Sequence, residues 1–262
     1  MRQLAVYNPF NAPVYHEDTV DSTMEFSRIL AQRGEPHGTV IAADFQKAGR
    51  GRLRGRSWDM ERGANLAFTI LLRFPGIENI PPALTLRTGL AVSYAIEDFA
   101  PALAGNVLIK WPNDIYIQKT VAKKAVGILA EADGGTVHIG IGVNVAQQQF
   151  PDSLRDKATS IGLAMGVAVG GERFTLLEKI LVRLHAEIEA SDGGALRSAW
   201  RERIEERLYQ KGKQVCFAEG PADSGKIVTG LLAGIGPGGE LLITPSGRPD
   251  GETLSFNTGE LV

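Results

Sequence analysis

Apolar positions along this chain change period several times, and each change predicts an element. From residue 22, Phe26, Ile29 and Leu30 recur at helical spacing, Ser22 with Glu25 fits a capping box, and Gly34 ends the helix. Residues 39–45 and 64–74 then read as strands, and 82–99 returns to a helical pattern. Two short strands, 107–111 and 115–118, are separated by the turn residues Pro112-Asn113-Asp114. Residues 126–132 and 137–145 form a hairpin around Asp133-Gly134-Gly135, and helices follow at about 175–190 and 195–210. Together these predict an α+β fold: a mixed β-sheet with helices mainly on one face.

From about Lys213 the pattern breaks into short strands at 214–218, 227–235, 240–244 and 252–256, punctuated by glycine and proline. This predicts a second unit, residues 213–262, built as a small β-barrel beside a larger unit of residues 1–212. Two motif-like strings fall within it. Residues 220–226 have P-loop spacing, but Ile227 stands where a Ser or Thr would bind Mg²⁺. Residues 234–239 match dinucleotide-binding spacing, yet no helix follows. Both read as hairpin turns.

Composition narrows the class. Apolar residues make up 44% and charged residues 22%, with a formal net charge of −2. That suits a globular protein with a full core and argues against general nucleic-acid affinity. No apolar run approaches the roughly 18 residues of a membrane span, and no signal-peptide pattern opens the chain. The single cysteine, Cys216, fits a reducing cytoplasm and reads as a buried small hydrophobe between Val215 and Phe217. The four histidines are scattered without metal-ligand spacing.

Against that near-neutral background, residues 46–58 stand out. Lys47, Arg50, Arg52, Arg54 and Arg56 share this stretch with Gly49, Gly51 and Gly55, and no acid appears before Asp59. Glycine lets backbone amides curl around an anion, and arginine adds planar charged forks. A small-molecule anion site, a nucleic-acid contact and a solvated loop are the three readings. Three further strings bear on the choice: Lys110-Trp111-Pro112-Asn113-Asp114; Lys124 three residues before Gly127; and Gly140-Ile141-Gly142-Val143-Asn144, a strand thinned for close approach of a ligand.

Taken with Asp21-Ser22-Thr23 and Gly63-Ala64-Asn65-Leu66, these segments resemble the biotin–protein ligases over most of the chain. The resemblance implies a small C-terminal SH3-like β-barrel, and a reaction in which ATP and biotin give biotinyl-5′-AMP, whose acyl group then passes to a lysine of a biotin carboxyl carrier protein. It places Ser22, Thr23, Gln46 and Gly49 around biotin, with Gly127 and Gly140 beside it. Arg50 and Arg52 order the loop over carboxylate and phosphate. Lys124 serves both biotin and the α-phosphate, with Lys123 the competing residue. Trp58, Lys110 and Asn144 belong to the nucleotide pocket, and Asp114 orients the acceptor lysine. Mg²⁺ accompanies ATP, with ligands the sequence leaves unknown. A monomer or homodimer is expected in the cytoplasm, with no membrane and no DNA partner, since Asp21 lies too near the start for the family's N-terminal DNA-binding domain.

Three departures accompany the resemblance. Both Leu53 and Arg54 stand between Arg52 and Gly55, where the family has one residue. Met24 replaces the family's asparagine, and the connection from Asp114 to Lys124 is longer than usual. Alternatives are a lipoate–protein ligase, a non-catalytic sensor of biotin or biotinyl-AMP, and a nucleic-acid-binding protein. Lack of aromatics within 47–57 argues against the last.

Overall fold

The computed structural model describes residues 1–52, 55, 57–169, 171–189, 199–220, 226–247 and 251–262. One eight-stranded sheet holds β1 (Arg2–Gln3), β2 (Val14–Glu17), β3 (Thr39–Ala43), β4 (Leu66–Arg73), β5 (Val107–Lys110), β6 (Asp114–Gln118), β7 (Ala122–Asp133) and β8 (Thr136–Val143). Their order across it is β1-β2-β3-β4-β8-β7-β6-β5. Only β2 and β3 pair parallel, so the sheet is mixed, as the pattern predicts. Neither β1 nor β2 was legible, because both are short, β1 wholly polar and β2 half polar. Gly134, at φ 56°, turns the β7–β8 hairpin.

Period-two alternation sends Ile139, Ile141 and Val143 to one face of the sheet, where they are buried with Phe68, Ile70 and Leu72. Helices α2 (Leu84–Phe99) and α4 (Arg173–Glu189) cover that face, and the short α3 (Ile161–Met165) packs at its end. Among the described residues, the other face receives only α1 (Thr23–Gln32), lying on β3, β4 and β8. Helices therefore do lie mainly on one face, and part of the opposite face is left to loops. Ser22 caps α1, accepting a bond from the Met24 amide at 3.2 Å. Glu25 completes no reciprocal bond among the described residues; its carboxylate turns to Arg28 and Arg50, and the Arg28 bond holds its pKa low.

The helix expected at 195–210 is shorter. α5 (Trp200–Glu206) ends where Arg207–Tyr209 runs beside β5, with Ile109 bonding to both Arg207 and Tyr209, and residues 195–198 lie outside the described ones. Five antiparallel strands follow in a second sheet: β9 (Gln214–Glu219), β10 (Ile227–Ile235), β11 (Leu241–Pro245), β12 (Leu254–Phe256) and β13 (Gly259–Leu261), ordered β12-β11-β10-β9-β13. The glycine-rich strings at 220–226 and 234–239 join antiparallel neighbours, as hairpins should, although 221–225 lie outside the described residues. Cys216 corrects the sequence reading: it is exposed. Val215 and Phe217 take the inward positions of β9, so alternation turns Cys216 out toward Thr229, 3.9 Å away.

A second apolar cluster ties the two sheets together. Leu86, Leu90, Ile109 and Trp111 meet Trp200, Ile204 and the inner face of β9–β11, including Phe217 and Leu241. Among the described residues, no helix is long and apolar enough to cross a membrane.

Beneath α1, His138 is 5% exposed, with Nδ1 2.8 Å from the Ser27 hydroxyl. Burial first, then the Arg28 charge, holds its pKa below the ordinary imidazole value. The unfolded chain therefore binds a proton that the folded one refuses, and stability is lost as pH falls below about 6.5. Urea midpoints between pH 7.5 and 5 should fall more steeply for this protein than for a His138→Gln variant. Equal slopes would remove His138 from the pH response.

Candidate active site

Strand register builds the site before any loop is added. Lys110 pairs with Asp114, Asp114 with Gly127, Gly127 with Gly142, and Gly142 with Ala67. Directly paired residues share a face, so this row crosses five strands on the face that α2 and α4 leave open. Two adjacent positions lack side chains, which makes a shallow strip of bare backbone. The indole of Trp58 lies on it: a Cβ on Gly142 would come within 2.5 Å of the ring, and one on Gly127 within 3.0 Å. One row along, Thr69 pairs with Gly140, and Met24 covers Gly140, its Sδ 2.9 Å from where a Cβ would stand. The strip is thus roofed by Trp58 and Met24.

Lys124 reaches the strip through an irregularity in β7. Ile115 pairs with Val126 but Tyr116 with Lys124, so Ala125 is the extra residue of a bulge. Such a bulge re-aims its neighbours. Lys124 Nζ lies 2.7 Å from Asp114 Oδ1, and its stem passes beside Gly127. Lys123 goes elsewhere, donating to the Arg155 carbonyl at 2.9 Å. Geometry therefore favours Lys124 over Lys123, as the Lys-x-x-Gly spacing does.

The turn carrying Asp114 is held from both ends. Asn113 donates to the Ile128 carbonyl at 2.8 Å and accepts the Ile128 amide through its own carbonyl at 2.9 Å. Trp111 is buried and donates from Nε1 to the Gly239 carbonyl at 2.9 Å, and the Trp111–Pro112 bond is cis. Lys110 Nζ sits 5.3 Å from the Tyr116 ring centroid, over its face.

At the start of α1, Gln46 Oε1 accepts from the Thr23 amide at 2.9 Å and from the Thr23 hydroxyl at 3.0 Å. The Thr69 hydroxyl donates to Thr23 Oγ1 at 2.9 Å. Thr23, Gln46 and Thr69 thus form one polar wall above Gly140, and Gly49 passes close to Gln46 and Trp58. On the far side, Asn144 is 4% exposed and donates to the Thr159 carbonyl at 3.1 Å. Asn144 Oδ1 and Trp58 Nε1 are buried without a hydrogen-bond partner among the described residues. One acceptor and one donor therefore stand unmet at the edges of the strip.

The cationic loop is only partly brought to this site. It closes at its base, where the Trp58 amide bonds to the Gly49 carbonyl at 3.0 Å. Arg50 is half exposed and pairs with Glu25. Arg52 donates to the Gly259 carbonyl of β13 at 3.0 Å. Leu53, Arg54 and Arg56 lie outside the described residues. Thr69 completes the strip and escaped the sequence reading, whereas Gly142 was read there as part of the glycine-thinned strand, two positions from Gly140 on the same face of β8. Asn65, fully buried, accepts the Val145 amide at 3.1 Å and donates to Gln147, so it fixes the end of β8.

Among the described residues, donor chemistry does not supply a Mg²⁺ site. The one His/Asp cluster among the described residues is His16, Asp18 and Asp44. Arg173 lies 2.6 Å from Asp44, and Arg2 donates to His16 at 3.1 Å, so cations already use those lone pairs.

Comparisons with known proteins place the chain in a family. Residues 17–145 match the family described as Biotin/lipoate A/B protein ligase family. The biotin--[acetyl-CoA-carboxylase] ligase of Paracoccus denitrificans is 33% identical over 87% of this chain and 93% of its own length. The bifunctional ligase/repressor BirA of Bacillus subtilis is 39% identical over 64% of this chain, a match spanning 51% of that longer protein. This chain thus spans about half the length of that relative. The biotin protein ligase of Aquifex aeolicus, solved with biotin and ATP, superposes with a TM-score of 0.76 at 28% identity, covering 95% of this chain and 97% of that one. The chain belongs to the biotin/lipoate A/B protein ligase family, on its biotin–protein ligase side.

Proposed function

We propose that this protein is an ATP-dependent ligase that activates biotin as biotinyl-5′-AMP and transfers it to a lysine of a biotin carboxyl carrier protein. The observation carrying this reading is the Lys124–Asp114 pair beside a two-glycine strip roofed by Trp58. In the first step a biotin carboxylate oxygen attacks the α-phosphorus of ATP and the bond to pyrophosphate breaks. Two anions must meet, so a fixed ammonium between them lowers the barrier most where water is excluded. Lys124 is that ammonium: a third exposed, anchored by Asp114, beside the bare backbone of Gly127. Thr23, Gln46, Gly49 and Gly140 bound the biotin end, with Ser22 holding α1 in place. Trp58, Lys110 and Asn144 bound the nucleotide end, where the unmet Asn144 acceptor and Trp58 donor suit a purine edge. Arg50 and Arg52 close the loop over the anhydride and limit its hydrolysis. Mg²⁺ arrives with ATP as part of that substrate.

In the second step the acceptor's neutral amine attacks the acyl carbon, the bond to AMP breaks, and a proton leaves the nitrogen. Asp114 attracts the incoming ammonium and positions it first. We read residues 1–212 as the catalytic unit and 213–262 as an SH3-like barrel, acting in the ATP-supplied cytoplasm.

Mixing purified protein with ATP and biotin, without acceptor, should release a burst of about one pyrophosphate per active site, since the adenylate stays bound. Lipoate should give none. A biotin-induced rise in melting temperature without pyrophosphate would instead favour a sensor.

A further inference from the structure

Met24 stands where the family has an asparagine, and the structure sets it over the end of the glycine strip. It is buried in the first turn of α1, next to Thr23, with its amide capped by Ser22. Its Sδ lies 2.9 Å and its Cγ 3.1 Å from where a Cβ on Gly140 would stand, and Thr69 Oγ1 comes next at 3.6 Å. The space above Gly140 is therefore bounded by a thioether arm and by a hydroxyl.

Those two boundaries differ in chemistry. Thr69 donates to Thr23 Oγ1, and the Thr23 hydroxyl and amide donate to Gln46 Oε1. That chain ends at the Gln46 side-chain nitrogen beside Gly49. Hydroxyls and a primary amide offer donors and acceptors in fixed directions. Met24 offers no donor: its sulfur is a weak acceptor, and its flexible arm fills irregular apolar gaps. An asparagine there would carry the polar wall further round; here that side is apolar. The bicyclic head of biotin has the same division. Its ureido edge carries one carbonyl acceptor and two N–H donors, while its other edge is a ring sulfide flanked by hydrocarbon. An oxygen added to that sulfur would be buried against Met24 without a donor, and an unmet polar atom is costly to bury.

We propose that Met24 is a specificity-determining residue, reading the sulfide edge of the bicycle by apolar contact while Thr23, Gln46 and Thr69 take the ureido edge. The site then selects the reduced ring sulfur and refuses its oxidised forms. This inference rests on the biotin reading of the site and adds what that site rejects. Isothermal titration of the intact protein with biotin and with biotin sulfone tests it, in the parent and in Met24→Gln, Met24→Asn and Met24→Leu variants. The ratio of the two dissociation constants within one variant cancels changes in overall stability. The parent should bind biotin at least about thirtyfold more tightly than the sulfone. Met24→Gln is close to methionine in length and adds an amide donor, so its ratio should narrow by about tenfold. Met24→Asn brings the same donor on a shorter arm and should narrow the ratio in the same direction, which keeps the test open if the glutamine variant does not fold. Met24→Leu keeps the side apolar and should hold the parent's ratio within about threefold. A parent ratio under threefold, or amide variants with the parent's ratio, overturns the role of Met24. Biotin binding without a pyrophosphate burst removes the ligase reading instead, and the ratios still decide Met24. Failure of the parent to bind biotin removes both.

Discussion

Replacing Lys124 with alanine should slow biotin-dependent pyrophosphate release by about 10²–10³-fold, the effect of losing one preorganised transition-state donor, roughly 2.7–4 kcal/mol. The size follows from position. Lys124 is the cation aimed along the glycine strip, whereas Arg50 is engaged with Glu25 and Arg52 with the carbonyl of Gly259. Alanine also strips Asp114 of its partner, leaving a carboxylate 19% exposed beside the reacting anions, which adds repulsion to the loss of attraction. Lys124→Arg keeps the charge and should recover part of the rate. Lys123→Ala should leave the burst within about twofold, because its ammonium serves the Arg155 carbonyl on the far face. A rapid-quench pyrophosphate assay decides between them, with biotin-induced thermal shifts as the check on folding. A Lys124→Ala burst within threefold of the parent would remove Lys124 from the chemistry.

Much of this site was legible because its parts are local. The Gly140/Gly142 alternation reports a strand face without side chains, and the Lys-x-x-Gly spacing puts Lys124 beside Gly127 across the bulge. The first follows from period two alone; the second needs the bulge at Ala125, because residues three apart in a regular strand face opposite sides. What stayed hidden depends on tertiary partners. Nothing near Arg52 in sequence announces that its guanidinium meets Gly259, which is 207 residues away. Thr69 gains meaning only because β4 pairs with β8 in the register that sets it opposite Gly140. Cys216 was misread because hydrophobic neighbours suggest burial, whereas the alternation of β9 places Val215 and Phe217 inside and the residue between them outside. The capping box was half right for a similar reason: Glu25 satisfies the motif but finds stronger partners in Arg28 and Arg50.

The second large effect belongs to Phe217, which couples stability to the site. Its ring is fully buried, 4.8 Å from the centroid of Phe256 and 5.9 Å from that of Trp111. Gly259 packs against it so closely that a Cβ there would come within 2.2 Å of the ring. Phe217→Ala should therefore cost about 3–5 kcal/mol, transfer and cavity terms together. For a chain of this size that lowers the melting temperature by roughly 6–20 °C. Phe217→Leu fills most of the volume and should cost less than half as much. Loss of the ring frees two groups at once: Trp111, which begins the turn carrying Asp114, and the Gly259 carbonyl that receives Arg52. Well below the new midpoint the protein should keep its burst amplitude but form the adenylate more slowly, since the loop has lost its anchor and not its charge. Thermal unfolding followed by tryptophan fluorescence tests the first half, and burst kinetics at low temperature the second. A shift under 2 °C would mean that the two sheets are not held by this cluster, and a burst rate equal to the parent's would mean that Arg52 needs no anchor on β13.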